Sequence, residues 1–314
     1  MAYTAFRGMK PLSQLMFSAF IVLVVFLAVQ VVAALIALPL FGMEKVSGMV
    51  YGLNMGDPET IGMLKYFQIC QSLGLFIAPS FLIAWLFHGD MTEYLRLDQP
   101  VGGGMVLLVI LLVIVVNPLI NFAGAMNAEM HFPGWMSSLE EWMREAEDAA
   151  AKLTEAFLST KSVGGLLFNL LMIAVLPAFG EELLFRGVIQ KILIRWTRNV
   201  HWGIWLAAAL FSALHMQFYG FVPRMLLAGM FGYLLVWSGS LWLPILAHFV
   251  NNAAAVTAMW LAEKSLLDPS VGEIGSASGE WHFVVASLVL SGIVIFSLRK
   301  TLLSGEELTG NPHL

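Results

Sequence analysis

Apolar residues in this chain come in long unbroken runs, not in the stripes of a soluble helix or the alternation of a half-buried strand. Eight runs stand out, at 15–40, 64–87, 105–126, 163–194, 202–218, 221–237, 241–261 and 281–298. A bilayer core about 30 Å thick is crossed by roughly 20 helical residues, so each run predicts a membrane span. The run at 163–194 is long enough to tilt or to project from the membrane, while 202–218 and 221–237 are short. One segment between the third and fourth runs reads differently. Ser137–Leu158 is polar, with Trp142, Ala146, Ala149, Leu153 and Phe157 recurring at helical spacing. It predicts an amphipathic helix on the external surface, a solvated connection as readily as a gate for substrate. Ser137 or Ser138 is expected to cap its start, with Glu140 and Glu141 at the positive end of the dipole.

The expected fold class is therefore all-α, a polytopic membrane helix bundle of about eight transmembrane helices with one external amphipathic helix. Three regions follow: 1–161, three spans and the connecting helix; 162–262, a membrane core; and 263–314, an external loop, the last span and a tail. Short-period repeats, low-complexity tracts and a separate soluble domain are all absent from the sequence.

Composition agrees with the span pattern. Hydrophobic residues make up 59% of 314 and charged residues only 12%, with a mean hydropathy of +0.81. Soluble domains carry roughly 25% charged residues, so this chain could not cover itself with a water-compatible surface. The net charge of −5 and the lack of a basic patch leave no basis for a nucleic-acid partner. Cys70 is the only cysteine, which excludes intrachain disulfides and cysteine metal clusters. Arg7 and Lys10 precede the first run as in a signal peptide, but that run far exceeds the roughly 7–15 residues of a cleavable h-region, so it is read as a retained span.

Charges between the runs set an orientation. Arg7 and Lys10, then Lys191, Arg195 and Arg198, then Arg299 and Lys300 all fall on one side of an eight-span chain. The positive-inside rule makes that side, and both termini, cytoplasmic. The acidic segments around Asp57 and Glu59, over 140–148 and over 268–280 fall on the other side.

The chemistry is expected where ionisable residues interrupt the runs, because a charge at the bilayer centre costs at least ~2.5–3.5 kcal/mol and marks a functional candidate. The fourth run contains Glu181, Glu182 and Arg186. Glu182 and Arg186 are four apart on one face and can pair, as interhelical glue or as support for a site. Glu181 points about 100° away and is left without a partner on its own helix. Pro177, one turn earlier, removes a backbone donor and predicts a kink. The fifth run carries Phe211 and His215 on one face, and the seventh carries His248 and Asn252 four apart. Asn251 points elsewhere and reads as interhelical glue. At about 1.5 Å per residue, Glu181 and His215 lie roughly 20 Å from the basic ends of their spans, and His248 and Asn252 roughly 10–17 Å. Antiparallel helices bring all four to compatible levels, on the cytoplasmic side of the membrane.

The ordered motifs Glu181-Glu182-Leu183-Leu184-Phe185-Arg186, Phe211 to His215 and His248 to Asn252 resemble the EExxxR, FxxxH and HxxxN motifs of the CAAX-protease and bacteriocin-processing (Abi) family of intramembrane endopeptidases. Phe185-Arg186-Gly187 and Pro244 ahead of His248 extend the match, which covers about 177–252. The resemblance implies hydrolysis of a peptide bond inside the bilayer, in a membrane-associated or lipidated protein or peptide. Glu181 would be general base on water and His215 would orient that water. His248 and Asn252 would donate to the oxyanion, and Glu182 with Arg186 would support the site. No cofactor is required by this scheme. Its alternatives are a zinc enzyme using Glu181, His215 and His248 as ligands, a proton-coupled transporter, and a non-catalytic immunity scaffold. HExxH is absent, and Asn252 is a poor zinc ligand but a good oxyanion donor. A transporter should show paired broken helices, which the sequence lacks.

Overall fold

Pro11 and Pro58 open the first two membrane helices, at the first-turn position where proline's missing N–H removes no intrahelical bond. Asp57 caps the second by accepting from the backbone N–H groups of Glu59 and Thr60. The structure, a computed structural model, describes residues 6–51, 54 and 56–309. Its principal helices are α1 (Pro11–Phe41), α2 (Pro58–Phe87), α3 (Gly103–Ala128), α4 (Ser137–Leu158), α5 (Val163–Thr197), α6 (Val200–Ala213), α7 (Phe221–Ser238), α8 (Trp242–Glu263) and α9 (Trp281–Thr309). Seven of them, all but α4 and α6, are long and apolar enough to cross a membrane.

The fifth predicted run is the one the structure shortens. Helix α6 ends at Ala213 after 14 residues, about 21 Å of helix. The chain then turns through Leu214–Gln217, with Met216 in the left-handed region at φ 55°. That conformation is rare for a long side chain and is held here by the turn around it. The eight expected passes are thus seven helices long and apolar enough to span and one shorter apolar helix.

The bundle is apolar outside as well as inside, with some polar residues buried among its apolar clusters. Gln14, Ser18, Ser72, Ser80, Asn127 and Asn169 are buried between helices, while Leu35, Leu107, Leu288 and Phe296 face outward. In lipid the apolar outer face is the matched one, and polar groups gain by turning inward to partners. Asn127 shows the economy of this arrangement: its Nδ2 donates to the Phe218 carbonyl at 3.1 Å and its Oδ1 accepts from the Val222 N–H at 2.7 Å. One asparagine on α3 thereby fixes the start of α7.

Small residues set the closest approaches. A Cβ on Gly203 would sit 2.7 Å from the Ile194 backbone, so α6 can fold back on α5 only with glycine there. The basic end of the bundle is tied by one contact between loops and one between helices α5 and α1. Ser240 Oγ donates to the Gln99 carbonyl at 2.8 Å and Arg195 Nη2 to Gln14 Oε1 at 2.7 Å.

Helix α4 spans the expected residues but starts differently. Neither Ser137 nor Ser138 caps it; a short 3₁₀ turn, Gly134–Met136, leads in. Glu140 instead accepts from the Phe132 N–H of the preceding segment at 3.0 Å, and the Arg144 guanidinium beside it holds its carboxyl well below the usual range, at about 2. The helix is fastened to the bundle. Glu147 accepts from the Tyr219 N–H at 3.2 Å, and Trp142 packs on Phe218. These contacts fasten α4 over the turn that follows α6.

Candidate active site

Helix α5 widens into π-helix twice, over Leu170–Val175 and Phe185–Gln190, on either side of the two glutamates. Such widenings collect at functional sites because they redirect side chains and free backbone carbonyls. Pro177 explains the first. It has no N–H to give to the carbonyl of Ile173, four residues back, and that acceptor would be orphaned in a membrane. Asn252 of α8 supplies the missing donor, Nδ2 to Ile173 O at 3.0 Å. The sequence reading expects only a kink at Pro177; the packed structure answers the proline with a side chain from another helix.

Glu182 is fully buried, Arg186 is 1% exposed and Glu181 8%. Arg186 Nη1 meets Glu182 Oε1 at 2.9 Å, and its Nη2 donates to the Ala228 carbonyl at 2.9 Å. The guanidinium lies over the rings of Phe211 and Phe231, with centroids at 4.9 and 5.6 Å, so cation–π contact adds to the pairing. The same Glu182 oxygen is 2.9 Å from His248 Nδ1. A carboxylate only accepts, so His248 carries a proton at Nδ1 and turns Nε2 toward Glu181, whose Oε2 lies 3.8 Å away. Phe231 stacks on the His248 ring at 5.4 Å and fixes its plane. Glu182 is thus the orienting group of His248 as well as the partner of Arg186, a link that sequence spacing does not show.

His215 reaches the site from the turn after α6. Its Nδ1 is 2.9 Å from the Phe211 carbonyl, so that nitrogen carries the proton and Nε2 keeps its lone pair. The ring is exposed because it opens on two cavities. The first, about 510 Å³, is lined by Glu181, His215, His248 and Asn252 together and is walled by Leu153 and Phe157 of α4. The second, about 670 Å³, lies between α1, α2 and α5; its wall is mainly apolar, with Phe26, Leu75 and Phe185, and it too reaches Glu181 and His215. The four expected site residues therefore meet at one chamber. Glu181 is about midway along α5, and the chamber extends toward α4.

Arg224, Gln68 and Asn251 are also among the residues of the chamber wall. Arg224 is anchored by Gln217, Nη2 to Oε1 at 2.8 Å. It satisfies the same rule of intramembrane charge as Glu181, but its place three residues into its span makes it read as an end residue. Asn251 corrects the expectation that it points elsewhere: it faces the chamber and donates from Nδ2 to Asn252 Oδ1 at 3.2 Å.

A His₂Glu zinc set would need Glu181, His215 and His248 each about 2.0–2.2 Å from one point. Among the described residues no three His, Cys, Asp or Glu side chains are grouped that way. As placed, the donors do not fit a tetrahedral ion.

Comparison with known proteins points to the same segment. Residues 163–254 match the family described as type II CAAX prenyl endopeptidase, Rce1-like. An uncharacterized protein of Bacillus subtilis (strain 168), YpbD, is 31% identical over 105 residues, which cover 32% of this chain and 49% of that protein. The chain thus spans about half the length of that relative. No solved structure matches. Glu181, Glu182, Arg186, His215, His248 and Asn252 all lie within the segment that matches this family model, which is the segment that builds most of the chamber.

Proposed function

We propose that this chain is an intramembrane endopeptidase that uses a glutamate-activated water to cleave a peptide bond in a membrane-associated or lipidated protein or peptide. The carrying observation is the convergence of Glu181, His215, His248 and Asn252, from three separate stretches of chain, on one chamber inside an apolar bundle. Glu181 takes a proton from water as the water oxygen bonds to the scissile carbonyl carbon. The same proton then passes to the departing amine as the C–N bond breaks. His215 Nε2 accepts from the water's other O–H and aims it. The oxyanion is met by His248, which must then carry a second proton at Nε2, and by the N–H of Asn252 that Ile173 does not use. Glu182 steadies the charged His248, and Arg186 balances Glu182.

Substrate approach is supported by the apolar cavity beside Glu181, which suits a hydrocarbon chain or the side chains of a membrane segment. The protein's partners in this reading are lipid and a peptide substrate, with no nucleic acid and no cofactor. The basic end, with both termini, is placed in the cytoplasm by the positive-inside rule. Comparing protein termini and membrane peptides between cells making the native chain and cells making Glu181→Gln tests the reading. New termini that depend on Glu181 are expected; identical profiles would favour the scaffold.

Two further results are expected. Purified protein stripped with a tight chelator should retain its cleavage rate, and restoration of a lost rate by stoichiometric zinc would turn the assignment to a metalloprotease. Asn252→Ala should lower turnover by about 10²–10³, the range for one oxyanion donor. It should also lose about 1–3 kcal/mol of stability, because the Ile173 carbonyl loses its only side-chain donor. A fall in melting temperature with turnover per folded molecule unchanged would leave Asn252 as helix glue alone.

A further inference from the structure

A third cavity, of about 560 Å³, lies between α3, α8 and the loop Pro269–Glu273. Hydrolysis consumes one water per bond, and a peptide seated in the 510 Å³ chamber blocks the chamber's own opening, so the nucleophile needs a second route. We propose that this third cavity is the water inlet of the site, with Asn251 as the gatepost between inlet and chamber. The inference rests on the hydrolytic reading above.

Four observations carry it. Asn251 lines both cavities, and among the described residues no other does. Its Nδ2 donates to Asn252 Oδ1, so a chain of amides leads from the inlet to the chamber. Asn117 and Asn121 of α3 also face the inlet, and Asn117 is exposed near the middle of its helix. Amides at that depth belong against a partner or a water-filled space, not against lipid. Finally, the mouth is built: Asn121 Nδ2 donates to the carbonyls of Gly272 and Ile274 at 2.9 and 3.0 Å, which holds the loop over the cavity. Along α8 the wall is made by Ala254, Ala255 and Ala258, whose short side chains leave the space open. At roughly 30 Å³ per water, the volume holds a connected file of molecules.

The test uses Ala255→Cys in a Cys70→Ala background, reconstituted in vesicles, with a charged, membrane-impermeant thiosulfonate as probe. Leu288→Cys, outward-facing on α9, is the lipid control. Ala255→Cys is expected to be labelled from the α4 side and Leu288→Cys to resist. Labelling should slow cleavage about 10-fold or more with substrate affinity unchanged, and dithiothreitol should restore the rate, which separates plugging from unfolding. Asn251→Leu should show the same loss of rate at constant affinity. Resistance of Ala255→Cys to the reagent would overturn the inlet, as would labelling without loss of rate. A loss of affinity would assign the cavity to substrate instead. The labelling needs no activity, so a chain that cleaves nothing refutes the hydrolytic reading separately from the hydration of the cavity.

Discussion

Glu181→Gln is expected to lower single-turnover cleavage by about 10²–10⁴, the share of a barrier that a positioned general base removes, while the fold survives. Glutamine matches glutamate in size but cannot take a proton from water. Little structural depends on the charge: the ion-pair partner of Glu181 is His248, with Nε2 3.8 Å from Oε2, beyond hydrogen-bond length. Removing a buried charge so weakly paired also relieves its desolvation, so the melting temperature should hold or rise. Rates per folded molecule in liposomes and thermal scans in detergent check both halves. A variant that unfolds would make Glu181 structural; one that stays folded and cleaves at the native rate would remove it from the chemistry.

Glu182→Gln should behave in the opposite way. Its carboxylate holds Arg186 at 2.9 Å and His248 at 2.9 Å from one oxygen. Without it, a guanidinium that is 1% exposed keeps only the Ala228 carbonyl and two aromatic faces. Breaking one side of a buried pair costs about 3–5 kcal/mol, because the other charge stays behind. The single variant should therefore melt well below the native protein. Replacing both partners, as Glu182→Gln with Arg186→Met, should recover most of that stability. Turnover should stay low in the double variant, since His248 would still lack a carboxylate to steady its charged form. Equal melting temperatures for Glu181→Gln and Glu182→Gln would contradict this division of labour, and full activity in the double variant would remove Glu182 from the site.

Much of this protein was legible in one dimension. Long apolar runs admit little besides membrane helices, because the length and hydrophobicity that lipid demands are local properties of the chain. Polar residues within those runs are just as plain, since lipid penalises each one wherever its helix packs. Helical phase adds the Glu182–Arg186 pair, four residues apart on one helix. Phase gives directions relative to a helix axis, however, and not the identity of the neighbour in that direction. Tertiary packing alone decided that His248, 66 residues on, shares the Glu182 oxygen, and that Asn252 answers the carbonyl exposed by Pro177 across 79 residues of chain. It decided that α6 stops early, that α4 closes over its turn, and that Asn251 stands between two cavities. These outcomes depend on which helices touch and how they are rotated. That choice is made by close contacts such as Gly203 against Ile194, whose energies depend on the whole bundle and not on any one run.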